Sequence, residues 1–190
     1  MLNEVIYKFA RWLDTLPSST AIHESFYLYN WIEATHVLTL MLCLGMLFII
    51  DLRMLGFALP EVPASKIAKG LATPMLIGFI VMFITGILLF YAIPVRSSQS
   101  LWLRIKIVLL VVAAINAYLF HRRMTASVDD WDHHAKAPLK LRIGAGLSIV
   151  FWIVIAICGR FIAYDWFDCK NNPAPFFSAV AGCIDGQTQF

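Results

Sequence analysis

The chain has 190 residues, 60% hydrophobic and 14% charged, with a mean hydropathy of +0.75, where an ordinary soluble domain has about 45–50% apolar and about 25% charged residues. That balance excludes an ordinary water-soluble fold, and the length suits a single domain. The formal net charge of +3 is too small to argue for a nucleic-acid partner. Its basic residues cluster beside apolar blocks, as in proteins facing lipid headgroups.

Residues 1–16 open the chain as a short amphipathic helix. Val5, Phe9, Trp12 and Leu13 recur at helical spacing opposite Glu4, Lys8 and Arg11, the pattern of a helix lying in a membrane interface or packed on the rim of a bundle. Met1-Leu2-Asn3-Glu4 offers no basic start, and no small-residue cleavage site comes after it, so the segment does not read as a signal peptide. Pro17-Ser18-Ser19-Thr20 breaks this helix and supplies an N-cap for the next one.

Four apolar runs come next, at 29–50, 71–93, 101–120 and 143–164. Each is about 20 residues, enough to cross about 30 Å of hydrocarbon as a helix. Helices satisfy their own backbone in lipid, and these runs lack the alternation of barrel strands. Pro60, Pro63, Pro94 and Pro138 punctuate the connections. The expected fold is therefore all-α, an integral membrane four-helix bundle over 20–165 with the short interfacial helix before it and a tail at 166–190.

Loop charge sets the orientation. Arg53, Lys66 and Lys69 lie in the first loop, and Arg122, Arg123, Lys136, Lys140 and Arg142 in the third, against Arg96 alone in the second. The excess of Lys and Arg puts loops one and three in the cytoplasm, with both termini periplasmic in a bacterial inner membrane; Lys8 and Arg11 weigh slightly against this. The tail carries Cys169 and Cys183. An oxidising compartment permits a disulfide between them, worth roughly 3 kcal/mol in the loop-entropy model. Cys43 and Cys158 fall inside spans, where a free thiol behaves as a small apolar residue.

Ionisable residues inside spans are costly and tend to mark function. Placed by depth at 1.5 Å per residue, Glu33 and His36 on span one, Arg104 and Lys106 on span three, and Arg160 on span four all lie roughly 5–10 Å below the outer end. One acid and one imidazole thus share an outer layer with three bases. A structural salt-bridge belt with outward-snorkelling bases is the plain alternative. Glu33-x-x-His36 puts both side chains on neighbouring positions of one helix, but a di-iron bundle needs a second such pair, which is lacking.

Haem b is a second candidate, with His36 as axial ligand and Lys106, Arg104 and Arg160 to neutralise propionates. His23 lies thirteen residues before His36, roughly 20 Å along a continuous helix, too far to share an iron unless the helix breaks near Ser25–Phe26. Met82 on span two is either a sixth ligand or ordinary packing, and in the latter case the haem would be five-coordinate. An inner layer holds Asp51, Arg53, Asn116 and His121, followed by Trp131-Asp132-His133-His134 in the third loop. His121 and a loop histidine are either a further haem site or solvated side chains. Met41-x-Cys43-x-x-Met46 offers soft ligands that suit Cu(I), or ordinary apolar filling.

Glu33-Ala34-Thr35-His36-Val37-Leu38, Gly45, Asp51-Leu52-Arg53-Met54-Leu55-Gly56, Arg104-Ile105-Lys106, Asn116-Ala117, Phe120-His121 and Gly159-Arg160-Phe161-Ile162-Ala163-Tyr164 together resemble an uncharacterised family of bacterial four-helix inner-membrane proteins. The resemblance covers about residues 20–165 and implies architecture, with no activity attached. More distantly the layout is similar to copper-resistance D-type proteins and small membrane cytochromes b, although paired histidines on facing spans are missing.

Three functions fit these residues. The first is a membrane redox subunit passing electrons between haem b or quinone and a periplasmic or membrane redox partner, with His36 as ligand or quinone partner, Glu33 as proton acceptor, and Lys106 and Arg160 as anion clamps. The second is copper handling through His36, Cys43 and the methionines. The third is a non-catalytic accessory subunit whose charged layer sets helix register in a larger membrane complex. No nucleotide loop, nucleophile elbow or HExxH motif is present. The orientation is directly testable. In spheroplasts, a membrane-impermeant maleimide should label Thr188→Cys and reach Lys136→Cys only after permeabilisation; the opposite pattern contradicts the charge reading.

Overall fold

The computed structural model describes residues 2–126, 131, 132, 134, 136–164, 169 and 174–184. Its elements are α1 (Leu2–Asp14), α2 (Pro17–Glu24), α3 (Phe26–Leu55), α4 (Ala64–Ala92), α5 (Pro94–Ser98), α6 (Leu101–Ala126), α7 (Leu139–Tyr164) and α8 (Pro175–Ala181), with no strand among the described residues. The long helices α3, α4, α6 and α7 are apolar and long enough to cross a membrane. The chain is therefore an all-α, multi-pass membrane protein. His133 and much of the tail at 166–190 lie outside the described residues.

These helices exceed the apolar runs of the sequence because polar ends continue the helical backbone beyond the hydrocarbon-length core. α4 begins at Ala64, not at 71, and carries Pro74 inside. A membrane helix tolerates such a proline because neighbouring groups take up the freed carbonyl. α4 also ends at Ala92, and Pro94 starts a new helix instead of merely closing a span, its missing N–H being harmless in a first turn.

The chain groups into two compact units, to which the long helices contribute different parts. Unit 1 comprises Met1–Val37, Phe83–Val108 and Ala156–Phe190. Here α1 packs on α2 and α5 with its Ala10 buried, while Leu2, Val5, Phe9 and Trp12 stay exposed along one stripe. α2 is fastened to the end of α4: Ser19 Oγ donates to the Tyr91 carbonyl at 2.7 Å, and Ser18 Oγ pairs with the Tyr91 hydroxyl at 2.5 Å. Ser25 then interrupts the helix in extended backbone (φ −75°, ψ 108°), and its Oγ accepts the Leu28 N–H at 3.2 Å, capping α3. The helix thus breaks at Ser25, the alternative the sequence leaves open between His23 and His36. The His23 ring instead meets Tyr29 edge-on, with centroids 6.5 Å apart.

Unit 2 comprises Leu38–Met82 and Leu109–Ile155. α3 ends there in a Schellman turn: Gly56 (φ 81°) donates to the Arg53 carbonyl and Phe57 to that of Leu52. Arg53, an orienting loop charge by sequence, is 1% exposed. Its Nε donates to Val62 O at 2.6 Å and its Nη2 to His134 O at 3.0 Å and Asp132 O at 3.3 Å. The Asp132 carboxylate accepts from the Ser65 N–H at 2.9 Å and from the Ser65 hydroxyl, holding the first turn of α4. Around this knot pack Met54, Ala64, Trp131, Ala137, Leu141 and Ala145. Elsewhere in the unit Cys43 fills the space a side chain at Gly78 would need, and Phe79 meets Trp152 with ring centroids 5.4 Å apart.

Truncating Arg53 removes donors from three loop carbonyls at once, each loss being worth about 1–3 kcal/mol when the acceptor stays buried. Arg53→Ala should lower the thermal midpoint of the detergent-solubilised protein by the equivalent of about 3 kcal/mol or more. Arg53→Lys should fall between the two, because one ammonium cannot reproduce the planar fork.

Candidate functional site

His36 on α3, Thr85 on α4 and Gly86 beside it form the best-defined polar contact between the long helices of unit 1. The His36 ring is half-buried, and its Nδ1 pairs with Thr85 Oγ1 at 2.8 Å. Thr85 is buried. A Cβ at Gly86 would stand 3.4 Å from His36 Cε1, in ordinary contact with it, so the imidazole packs beside this glycine of α4. Within an otherwise apolar stretch of α4, a Thr-Gly pair provides both a hydrogen-bond partner and a packing contact. One nitrogen thus engaged fixes the ring's orientation.

Glu33 lies one turn before His36 and is half-buried. Tyr29, a further turn back, is near enough to interact electrostatically with both Glu33 and Arg96 of α5. On the α6 side, Lys106 is half-buried, with its Nζ 3.5 Å from where a Gly159 side chain would begin. The buried Cys158 thiol is its electrostatic neighbour. Trp102 and Phe161 close the same pair of helices, ring centroids 4.5 Å apart.

The other bases of the expected layer have different partners. Arg104 donates through Nη1 to Asn3 Oδ1 at 2.8 Å and to Val180 O at 3.1 Å, and through Nη2 to Ser98 O at 3.3 Å. It thereby ties α1, α5 and α8 to the first turn of α6. Arg160 is exposed on α7, where its guanidinium lies 4.4 Å from the Tyr164 ring centroid and bonds the Tyr164 hydroxyl. Glu33, His36, Arg104, Lys106 and Arg160 all fall in unit 1, whereas His121 belongs to unit 2 and is exposed. Met82, the candidate sixth ligand, is half-buried on α4.

The segment between α4 and α6, a short loop by sequence, is the most thoroughly buried polar stretch of the unit. Ser97, Ser98, Gln99 and Ser100 are all buried. Gln99 Oε1 accepts the Ile184 N–H at 3.2 Å, and the Gln99 carbonyl lies 3.5 Å from Cys169 Sγ. Cys169 and Cys183 stand at disulfide distance, with Cα atoms 5.5 Å apart, and pack with Leu101, Ile105 and Ala181. Thr85, Gly86 and Gln99 thus join the candidate region although no sequence motif marks them. Small or polar residues facing candidate ionisable side chains are the available signal.

The soft-ligand run of α3 does not converge. Met41 is 66% exposed while Cys43 is 1% exposed, so the two side chains leave opposite faces of the helix. Among the described residues, no group of three or more His, Cys, Asp or Glu side chains is placed to hold a metal ion.

The tail's attachment yields a test. Gly182 adopts φ 76°, and a Cβ there would collide with the Arg104 guanidinium. Gly182→Ala or Arg104→Ala should release the tail, seen as cleavage within 170–190 by protease at least several-fold faster than in the parent, with His36-dependent properties unchanged. Equal cleavage rates would show that the tail is held by other contacts.

No curated protein and no solved structure matches the chain. Nothing in the comparisons supports the distant likeness to copper-resistance D-type proteins or cytochromes b. A family model covers residues 23–165, which include α3, α4, α5, α6 and α7 but not α1 or α8. The chain belongs to that family, the family of unknown function DUF6644.

Proposed function

We propose that the protein is a membrane-embedded redox subunit in which His36 engages a hydrophobic cofactor, haem b or a quinone, and exchanges electrons with a partner at the periplasmic face of a bacterial inner membrane. The observation that supports this reading is the His36–Thr85 hydrogen bond of 2.8 Å inside membrane-length helices. A histidine that serves a cofactor in a membrane needs its ring orientation fixed by a second group, and Thr85 is suited to that task. His36 would be the residue that holds a haem iron or hydrogen-bonds a quinone carbonyl, the cofactor supplying the redox chemistry. Lys106 offers positive charge to an anionic cofactor group, and Glu33 offers a proton acceptor one turn from His36.

A second reading, the non-catalytic accessory subunit, is favoured by Arg104 and Arg160. Both spend their guanidinium groups on this chain's own backbone and side chains. In that reading the charged residues fix helix register and the tail, with no cofactor involved.

His36→Ala separates the two. The redox reading expects its cofactor content to fall to background while the thermal midpoint changes little, and Thr85→Val to weaken cofactor binding by about 10-fold or more. Unchanged cofactor content in His36→Ala would eliminate His36 as the cofactor residue. A parent protein carrying no cofactor, copurifying with a membrane complex that His36→Ala leaves intact, would favour the accessory subunit.

A further inference from the structure

Unit 2 contains a carboxyl group that the redox role of His36 does not use. Asp51 sits one turn before the end of α3, is 4% exposed, and its Oδ2 has no hydrogen-bond partner among the described residues. The Ser148 side chain on α7 is its hydrogen-bonding neighbour. Ser148 lies one helical turn after Gly144, so the two share a face of α7. The Gly144 carbonyl accepts from Asn116 Nδ2 of α6 at 3.0 Å. Three helices therefore bring a carboxyl, a hydroxyl and an amide to adjacent turns of α7.

Besides Asp51, the buried charged groups among the described residues of this unit are Arg53 and Asp132, and both bond elsewhere. Arg53, two residues on, turns its guanidinium to the carbonyls of Val62, Asp132 and His134. Asp132 is taken by Ser65. Arg142 lies six residues before Ser148, about 9 Å along α7 and on a different face, and its own Nε has no partner among the described residues. His121 and Lys140 are exposed.

A permanent carboxylate at this burial would need an opposite charge or several donors, and among the described residues Asp51 has the Ser148 hydroxyl as its neighbour. A hard metal cation would need about six oxygen ligands, more than the carboxyl, hydroxyl and amide supply. A proton needs one oxygen atom.

We propose that Asp51 is a proton-binding site in unit 2, with Ser148 as its positioning hydroxyl. The step is balanced by itself: a lone pair on the carboxylate takes up H⁺ to give the neutral acid, and no electron moves. Buried carboxyl groups in membrane-spanning helices serve in this way as members of proton relays. The site belongs to unit 2 and does not depend on the function assigned to His36.

The test is infrared difference spectroscopy on the full chain in lipid vesicles, cycled between acidic and alkaline buffer. Asp51 should contribute a carboxylic-acid carbonyl band that disappears at alkaline pH, shifts in D₂O and is lost in Asp51→Asn. Ser148→Ala should move that band without abolishing it, a second check should Asp51→Asn fail to fold. Difference spectra of Asp51→Asn and the parent that superimpose would overturn the proposal. So would a band that tracks sodium or potassium concentration at fixed pH, which would make the ligand a metal cation.

Discussion

Arg53 is almost wholly buried, and the carbonyls of Val62, Asp132 and His134 converge on its guanidinium. Those acceptors come from both loops of unit 2, so a single side chain at the end of α3 fixes the path of each. A guanidinium suits this work because its five N–H donors lie in a rigid plane and it accepts nothing. The Asp132 carbonyl, buried in its turn, would otherwise lose a donor that water does not replace. The helix ends, the Asp132–Ser65 contact and the packing of Trp131 all presuppose that these loops are already in place.

Unit 1 uses the same chemistry with different geometry. Arg104 reaches α1 through Asn3, α5 through Ser98 and α8 through Val180. Its guanidinium occupies the space that only a glycine at position 182 leaves open. This arrangement explains why a segment as polar as Ser97-Ser98-Gln99-Ser100 is buried: α1 and the tail lie over it, and Gln99 is bonded to Ile184. It also narrows the chemistry. With Arg104 serving structure and Arg160 resting on Tyr164, the proposed cofactor role rests on His36, Glu33 and Lys106.

What the sequence reveals and what it conceals have physical causes. Four spans are legible because hydrocarbon thickness demands about 20 apolar residues whatever their neighbours, and α1 because its apolar stripe repeats at helical spacing. The tail cysteines are recognisable as a pair from their shared location. The break at Ser25 is less visible, since Ser25-Phe26 carries no proline or glycine, and only the hydroxyl's bond to Leu28 marks it. The roles of Arg53 and Arg104 stay hidden because depth along a span says nothing about which way a side chain turns. Thr85 and Gly86 do not stand out either, because threonine and glycine in an apolar run look like filling until His36 is placed against them.

Reduced-minus-oxidised visible spectroscopy on the detergent-purified protein, with iron and extracted quinone quantified on the same sample, bears most directly on the role assigned to His36. Either a b-type α-band with about one iron per chain or a stoichiometric quinone is expected, in each case lost from His36→Ala. A featureless spectrum with neither iron nor quinone would contradict a redox role and leave the charged residues to structure alone.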